Sequence, residues 1–309
     1  MTGAVTVATT AERIGFVGIG TMGTPMARCV AAKGATLVLY DADTARAAQV
    51  AGELGASTAD SPALLGRGCD VVVTMLPTGQ IVRDVVLGPE GVASTLAPGS
   101  TIIDMSSSDP TGTVELGRAL APGGIALIDA PVSGGPSGAA AGTLSIMIGG
   151  DDEAAIERCR PILEAMGQRL TRTGKLGSGH ATKALNNFLA ATSITAMSEA
   201  LVIGRRFGLD PATLLEVVNA STGASLSSQT LFPSQVLTRK FALGFSLALM
   251  AKDVGLAAGL AETLGVEAPL CRDVAAAWAA ARDALGGGAD FTEMARHVEV
   301  VNGLEAPAS

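Results

Sequence analysis

Lys183 and Asn187 stand four residues apart in the segment Gly179-His180-Ala181-Thr182-Lys183-Ala184-Leu185-Asn186-Asn187, a stretch otherwise dominated by small and apolar residues. In a helix that spacing puts both side chains on one face. A lysine there has two readings. Helix lysines usually lay their stems along apolar surface and keep the ammonium in water. A desolvated lysine facing a pocket is instead a proton donor or acceptor. Spacing alone favours the first reading, so the decision falls to the rest of the chain. A second candidate is the turn Pro131-Val132-Ser133-Gly134-Gly135, whose successive N–H groups carry little side-chain cover. That geometry receives a carboxylate, although small residues also simply make a tight turn.

The elements that must hold these residues begin with RIGFVG (13–18), an apolar run ending in Gly18-Ile19-Gly20-Thr21-Met22-Gly23, followed by the helical spacing of TPMARCVAAKG. TLVLYD then reads as a second strand ending in Asp41, eighteen residues after Gly23, before another helical pattern. Strand, glycine turn, helix and acid together form a dinucleotide fingerprint. Gly18 permits the tight turn, Gly20 lets a pyrophosphate approach the backbone, and Gly23 lets helix and strand pack closely. The pyrophosphate is expected on the free N–H groups near Thr21 and Met22, where the helix dipole favours an anion. Asp41 can accept from the adenosine ribose diol and would repel the extra phosphate of NADP, which favours NAD. Asp41 also suits a solvated acid capping the next helix, although Asp43 or Thr44 can take that role, and Arg46 is near enough to reach a phosphate, so NADP stays open.

The alternation continues through DVVVTMLP (70–77), apolar on both faces as in a covered parallel strand, and STIIDMSSSDP (100–110). Leu76, Pro77 and Ser106 fall at the carboxyl ends of these strands, where a doubly wound sheet binds its ligand. Pro77 equally fits a strand terminator, and Ser106 a cap for the helix after Pro110. LIDAPVSGGPSGAAAGTLSIMIGG (127–150) reads as strand, small-residue loop, strand; a helix and the short strand QRLTRTG end the repetition. Helical patterns follow at 178–207, 211–220, 243–264 and 269–285. The expected fold is α/β: a loose tail over 1–11, a nucleotide-binding domain with a doubly wound sheet over 12–175, and an all-α domain over 176–309.

Composition narrows the function classes. The chain has 309 residues, 48% of them hydrophobic, enough for two cores. A net charge of -8 argues against nucleic acid and anionic membrane surfaces, which reward clustered Lys and Arg. The apolar segments read as short and broken, below the ~20 residues of a membrane span, and MTGAVTVATTAER lacks the pattern of a secretion signal. A cytoplasmic protein is expected. The four cysteines lack CxxC spacing and suit reduced thiols, and two histidines exclude a histidine-rich metal site.

Taken together, GFVGIGTMGTPMA, VVVTMLP, DMSSSDP, DAPVSGGPSGAAAGTLSIMIGG, GSGHATKALNN and FSLALMAKDVGLA resemble, in order and over nearly the whole chain, the β-hydroxyacid dehydrogenase family, which includes 3-hydroxyisobutyrate dehydrogenase and tartronate semialdehyde reductase. The resemblance implies a Rossmann-type N-terminal domain, a helical C-terminal domain that makes the subunit interface of a homodimer or homotetramer, and a substrate cleft between them. It assigns proton transfer to Lys183, substrate orientation to Asn187, carboxylate contacts to Ser133 and Gly134, and cofactor contacts to Leu76, Pro77, Ser106 and Lys252. By sequence alone Lys252-Asp253 is an ordinary exposed pair. The stretch 219–245 matches no member of defined specificity. The expected activity is hydride transfer between NAD, with NADP possible, and a small carboxylate-bearing 3-hydroxy acid, its carboxylate on Ser133-Gly134-Gly135 and its hydroxyl exchanging a proton with Lys183. Oxidation needs that lysine neutral, which burial can arrange. The rivals are a reductase of an imine or a longer hydroxy acid on the same scaffold, and a non-catalytic NAD-binding scaffold protein.

Overall fold

The computed structural model describes residues 12–304, so the tail read at 1–11 lies outside the described residues. The chain forms two compact units that divide between Lys183 and Ala184. The first alternates strands and helices: β1 (Arg13–Val17), α1 (Gly23–Ala31), β2 (Thr36–Tyr40), α2 (Thr44–Leu54), β3 (Ser57–Thr58), α3 (Pro62–Gly66), β4 (Val71–Thr74), α4 (Gly79–Leu87), β5 (Thr101–Asp104), α5 (Pro110–Leu120) and β6 (Ala126–Asp129). Then come β7 (Val132–Ser133), α6 (Gly135–Ala141), β8 (Leu144–Gly149), α7 (Glu153–Met166), β9 (Gly167–Gly174) and the long α8 (Ser178–Phe207).

The strands form one sheet in the order β3-β2-β1-β4-β5-β6-β8-β7, with β9 beside β8. Pairing is parallel from β3 to β6 and turns antiparallel at β8. Chain order reverses at β1, whose neighbours β2 and β4 leave it in opposite directions across the sheet, the switch point at which such sheets place a ligand. Both faces are buried. Val71 and Val73 enter a core that includes Phe16, Leu39, Met26 and Ile162, while Val72 enters the opposite one with Val38, Ile102 and Leu116. Alternate side chains of one strand thus serve two layers, which is why the run reads as continuously apolar.

The second unit completes α8 and adds α9 (Pro211–Asn219), a π-helix over Ser227–Val236, α10 (Leu247–Thr263), α11 (Pro269–Leu285) and α12 (Met294–Val301). Its core surrounds Trp278, fully buried, stacked on Phe291 at 6.4 Å between centroids, with the indole N–H donating to Thr195 Oγ1 at 3.0 Å. Three readings need correction. The helix expected from 243 starts at Leu247, because Ser246 caps it and bridges to Asp290 in extended form. The stretch 227–236 is helical and α12 had no counterpart in the sequence reading. The loop after Ser133 contains the seven-residue α6.

The apolar segments are not all short, either. Helix α8 spans 30 residues and has an 18-residue window of mean hydropathy 1.2, enough by length and composition to cross a membrane. Alanine, leucine and isoleucine keep the average high although threonine, serine and glutamate interrupt the run. Half of that window is buried inside the protein, and Ala191, Ile194, Met197 and Leu201 supply the core of the second unit.

All four cysteines are free thiols. Burial raises their pKa values, Cys69 and Cys159 to about 11. At pH 8 a thiol of that pKa is only about one part in a thousand thiolate. In a dithionitrobenzoate titration at pH 8, Cys69 and Cys159 should therefore stay unreacted in the native protein and release their full equivalents in guanidinium. Rapid native reaction at either would contradict the burial described.

Candidate active site

The glycine turn after β1 is shaped by contacts a side chain would prevent. Gly18 has φ +93, and a Cβ on it would lie 2.3 Å from the Met75 carbonyl oxygen; on Gly23 it would lie 1.8 Å from that of Gly18. Gly20 differs: a Cβ there meets nothing within 4 Å, so the bare backbone faces open space. The middle glycine leaves room for a ligand while the outer two secure the turn. Helix α1, which begins there, has no side-chain cap, whereas α2, α3, α4, α5 and α7 are capped by Asp43, Ser61, Thr78, Asp109 and Asp152. Its first N–H groups fit a phosphate. Ile19 is buried, Thr21 exposed and Met22 half-buried.

Asp41 ends β2 and does more than face the turn. Its Oδ2 accepts the Ile19 N–H at 2.6 Å and its Oδ1 the Asp43 N–H at 2.8 Å. The cap of α2 is Asp43, so Asp41 does not serve that purpose. Arg46 pairs with the Asp43 carboxylate at 3.2 Å.

At the end of β4, half-buried Leu76 donates its N–H to Ser106 Oγ at 2.9 Å, and Pro77 is exposed. Ser106 is fully buried, and the cap of α5, which opens at Pro110, is Asp109, whose carboxylate accepts from Thr111 and Gly112. The Ser106 hydroxyl therefore ties two strand ends together; the half-buried Ser107 beside it offers the more accessible hydroxyl. On the far side of the sheet Ser133 pairs with Ser145, and Gly134 (φ +133) and Gly135 (φ +63) follow in exposed, left-handed backbone that an L side chain would strain. Helix α6, like α1, starts without a side-chain cap.

Lys183, half-buried, lies in the second turn of α8. Asn187 follows four residues on in the same helix and is buried; its Nδ2 donates to Asp253 Oδ2 at 2.6 Å. Lys252 Nζ lies 3.0 Å from the other oxygen of Asp253, which is 1% exposed, so Lys252-Asp253 is not the exposed pair that the sequence suggested. The structure therefore gathers Gly18 to Gly23, Asp41, Leu76, Pro77 and Ser106 at the carboxyl edge of the sheet, and Asn187, Asp253 and Lys252 in one network of the second unit.

Sequence reasoning passed over Asp104, Asp129 and His180, which meet in the first unit. Asp129 Oδ1 accepts the Gly177 N–H and Oδ2 the His180 N–H, both at 2.8 Å, anchoring the start of α8. The available signal was the twin endings Ile-Ile-Asp and Leu-Ile-Asp of β5 and β6, whose acids sit opposite each other in the sheet. A groove of about 930 Å³ lies elsewhere, between α5 and α7 over β6, lined by residues such as Val114, Arg118, Ala126 and Arg158. It holds none of the candidate residues.

Comparison with known proteins agrees with this arrangement. Residues 13–174 match the NAD binding domain of 6-phosphogluconate dehydrogenase, and 177–298 match the model described as NAD-binding of NADP-dependent 3-hydroxyisobutyrate dehydrogenase. The chain is 38% identical to 2-(hydroxymethyl)glutarate dehydrogenase of Eubacterium barkeri over 79% of this chain and 81% of that protein. It is 37% identical to the NAD-dependent L-serine dehydrogenase of Pseudomonas aeruginosa, over 84% and 88%. The solved 3-hydroxyisobutyrate dehydrogenase of Mycobacterium tuberculosis with L-serine superposes with a TM-score of 0.85 at 33% identity, covering 93% of this chain and 99% of that one.

Because Asp41 both faces the turn and accepts the N–H of a buried residue, Asp41→Ala should weaken NAD binding and lower stability by about 1–3 kcal/mol, the usual effect of orphaning a buried donor. Calorimetric titration with NAD and a urea melt of the same variant check the two halves. Unchanged stability would mean the Ile19 contact contributes nothing.

Proposed function

The chain belongs to the β-hydroxyacid dehydrogenase family and is an NAD(P)-dependent hydroxyacid dehydrogenase; we propose that its substrate is a small 3-hydroxy acid and that Lys183 is the general acid and base. The observation that carries this reading is the pairing of half-buried Lys183 with Asn187 one turn away on an unbroken helix, the amide of Asn187 fixed by Asp253. A solvated lysine would need no pinned amide one turn away on its face.

The compounds named for the relatives share one unit. 3-Hydroxyisobutyrate, L-serine and 2-(hydroxymethyl)glutarate each carry a hydroxymethyl group on the carbon that bears a carboxylate, and differ in a third substituent: methyl, ammonium or a carboxyethyl arm. That common unit is the proposed substrate class. Its carboxylate suits the Ser133-Gly134-Gly135 turn, whose N–H groups have little cover. Its hydroxyl is oriented by Asn187.

The nicotinamide supplies the hydride acceptor for oxidation and the donor for reduction. Lys183 Nζ takes the hydroxyl proton as the alcohol becomes an aldehyde; in reduction the ammonium returns it and stabilises the developing oxyanion. The open backbone at Gly20 and the uncapped start of α1 fit the pyrophosphate. Asp41, with spare lone pairs toward a ribose diol, favours NAD over NADP.

Proton transfer by a placed side chain is worth about 10²- to 10⁴-fold. Lys183→Ala should lose at least about 10²-fold in kcat while its NAD dissociation constant stays within about twofold. The assay is initial-rate reduction of NAD and NADP with 3-hydroxyisobutyrate, L-serine, glycerate, 3-hydroxypropionate, threonate and 2-(hydroxymethyl)glutarate. Full turnover in the variant would remove Lys183 from the mechanism, and no turnover of any of these acids by the wild type would overturn the substrate class.

A further inference from the structure

His180 is wholly buried, yet the reaction above does not use it. Its ring lies among three groups of the first unit. Nδ1 is 2.8 Å from Thr113 Oγ1 and 4.0 Å from Asp129 Oδ2, and Nε2 is 3.7 Å from Asp104 Oδ2. The Thr113 hydroxyl also reaches the Asp109 carbonyl at 2.9 Å, so it bridges the ring and the start of α5. Nε2 has no hydrogen-bond partner and is aimed at the Asp104 carboxylate.

Asp104 is itself held from several sides: Oδ1 accepts the Thr74 hydroxyl at 2.9 Å and the Ser106 N–H at 3.0 Å, and Oδ2 the Ser108 hydroxyl at 2.8 Å. Ser106 in turn accepts the Leu76 N–H. Hydrogen bonds thus join the strand ends that carry Leu76 and Ser106 to Asp104, whose Oδ2 lies 3.7 Å from the His180 ring, and the His180 backbone N–H reaches Asp129. Lys183 is three residues farther along α8, one turn above the ring. A phenyl or aliphatic side chain could fill the same space, but it could not bond the Thr113 hydroxyl.

We propose that His180 is a positioning residue: through the hydrogen bond of its ring to Thr113 and of its backbone N–H to Asp129, with the ring packed beside the Asp104 carboxylate, it holds the Lys183-bearing turn of α8 against the ends of β5 and β6. The inference rests on Lys183 being the acid and base, although the holding itself can be read without turnover.

The test compares His180→Ala, His180→Asn and Thr113→Val with the wild type by hydrogen exchange and by kinetics. Asn keeps a hydrogen-bonding amide where Nδ1 stands, and Val removes the Thr113 hydroxyl without opening a cavity. The expected result for His180→Ala and Thr113→Val is faster exchange confined to amides 178–184, with β1, β4 and residues 190–200 as protected as before. In the same variants kcat should fall by about 10- to 100-fold, the range a displacement of about 1 Å produces, while KM and the NAD dissociation constant stay within about threefold. His180→Asn should recover most of both. Unchanged exchange at 178–184, loss of protection across the whole sheet, local loosening with unchanged kcat, or an Asn variant no better than Ala would each overturn the proposal. A wild type inactive on every acid tested would sink the functional reading, and the exchange data would still decide whether His180 holds the turn.

Discussion

A carboxylate with no access to water has to find its hydrogen bonds inside the protein, and much of the first unit is arranged around one that does. Asp129, fully buried at the end of β6, takes the Gly177 and His180 N–H groups that open α8. A helix start leaves its first N–H groups without intrahelical partners, and here a residue about fifty positions earlier supplies the acceptor. Two glycines make the approach possible. A Cβ on Gly149 would sit 2.3 Å from Asp129 Oδ1, and one on Gly179 would sit 2.4 Å from the Met147 carbonyl oxygen. The placement of the first turn of α8 on the sheet is therefore set by one carboxylate and two missing side chains. The height of Lys183 above the strand ends follows from it.

Much of this was legible in the sequence where the determining forces are local. The glycine turn, its flanking strand and helix, and the acid ending β2 lie within thirty residues, and each element's periodicity is its own signature. Helix α8 was read at its observed limits because nothing interrupts its pattern between Ser178 and Phe207. What escaped depends on partners distant in sequence. His180 looks like an isolated polar residue until Asp104 and Asp129 are brought beside it by adjacent parallel strands. Asp253 looks like half of a surface pair until Asn187 is seen to donate to it. The start of α10 shifted from 243 to 247 for a similar reason, since the bridge from Ser246 to Asp290 overrides local helical spacing.

Among the described residues of the second unit, non-glycine backbone with positive φ occurs in one place. Arg239 (φ +58) and Phe241 (φ +43) adopt left-handed backbone that bulky residues avoid, directly after the π-helix. Arg239 is kept there by the Glu299 carboxylate, 2.7 Å away, and by lying over the Phe241 ring at 4.8 Å. Glu299 also takes Arg205 of α8. These residues fall within the stretch 219–245 whose sequence indicated no specificity, and such strain tends to gather where function constrains the backbone.

The double duty of Asp41 bears on how this lineage can change. Its carboxylate is both the group proposed to read the adenosine ribose and the acceptor that satisfies the buried Ile19 N–H in the glycine turn. Replacing the acid to admit a 2′-phosphate would remove that acceptor in the same step, so an evolutionary path toward the phosphorylated cofactor crosses a less stable intermediate. Substitutions that bring a new acceptor to the Ile19 N–H would have to come first. Under that proposal, the choice between NAD and NADP in this chain is tied to the stability of the glycine turn as well as to charge.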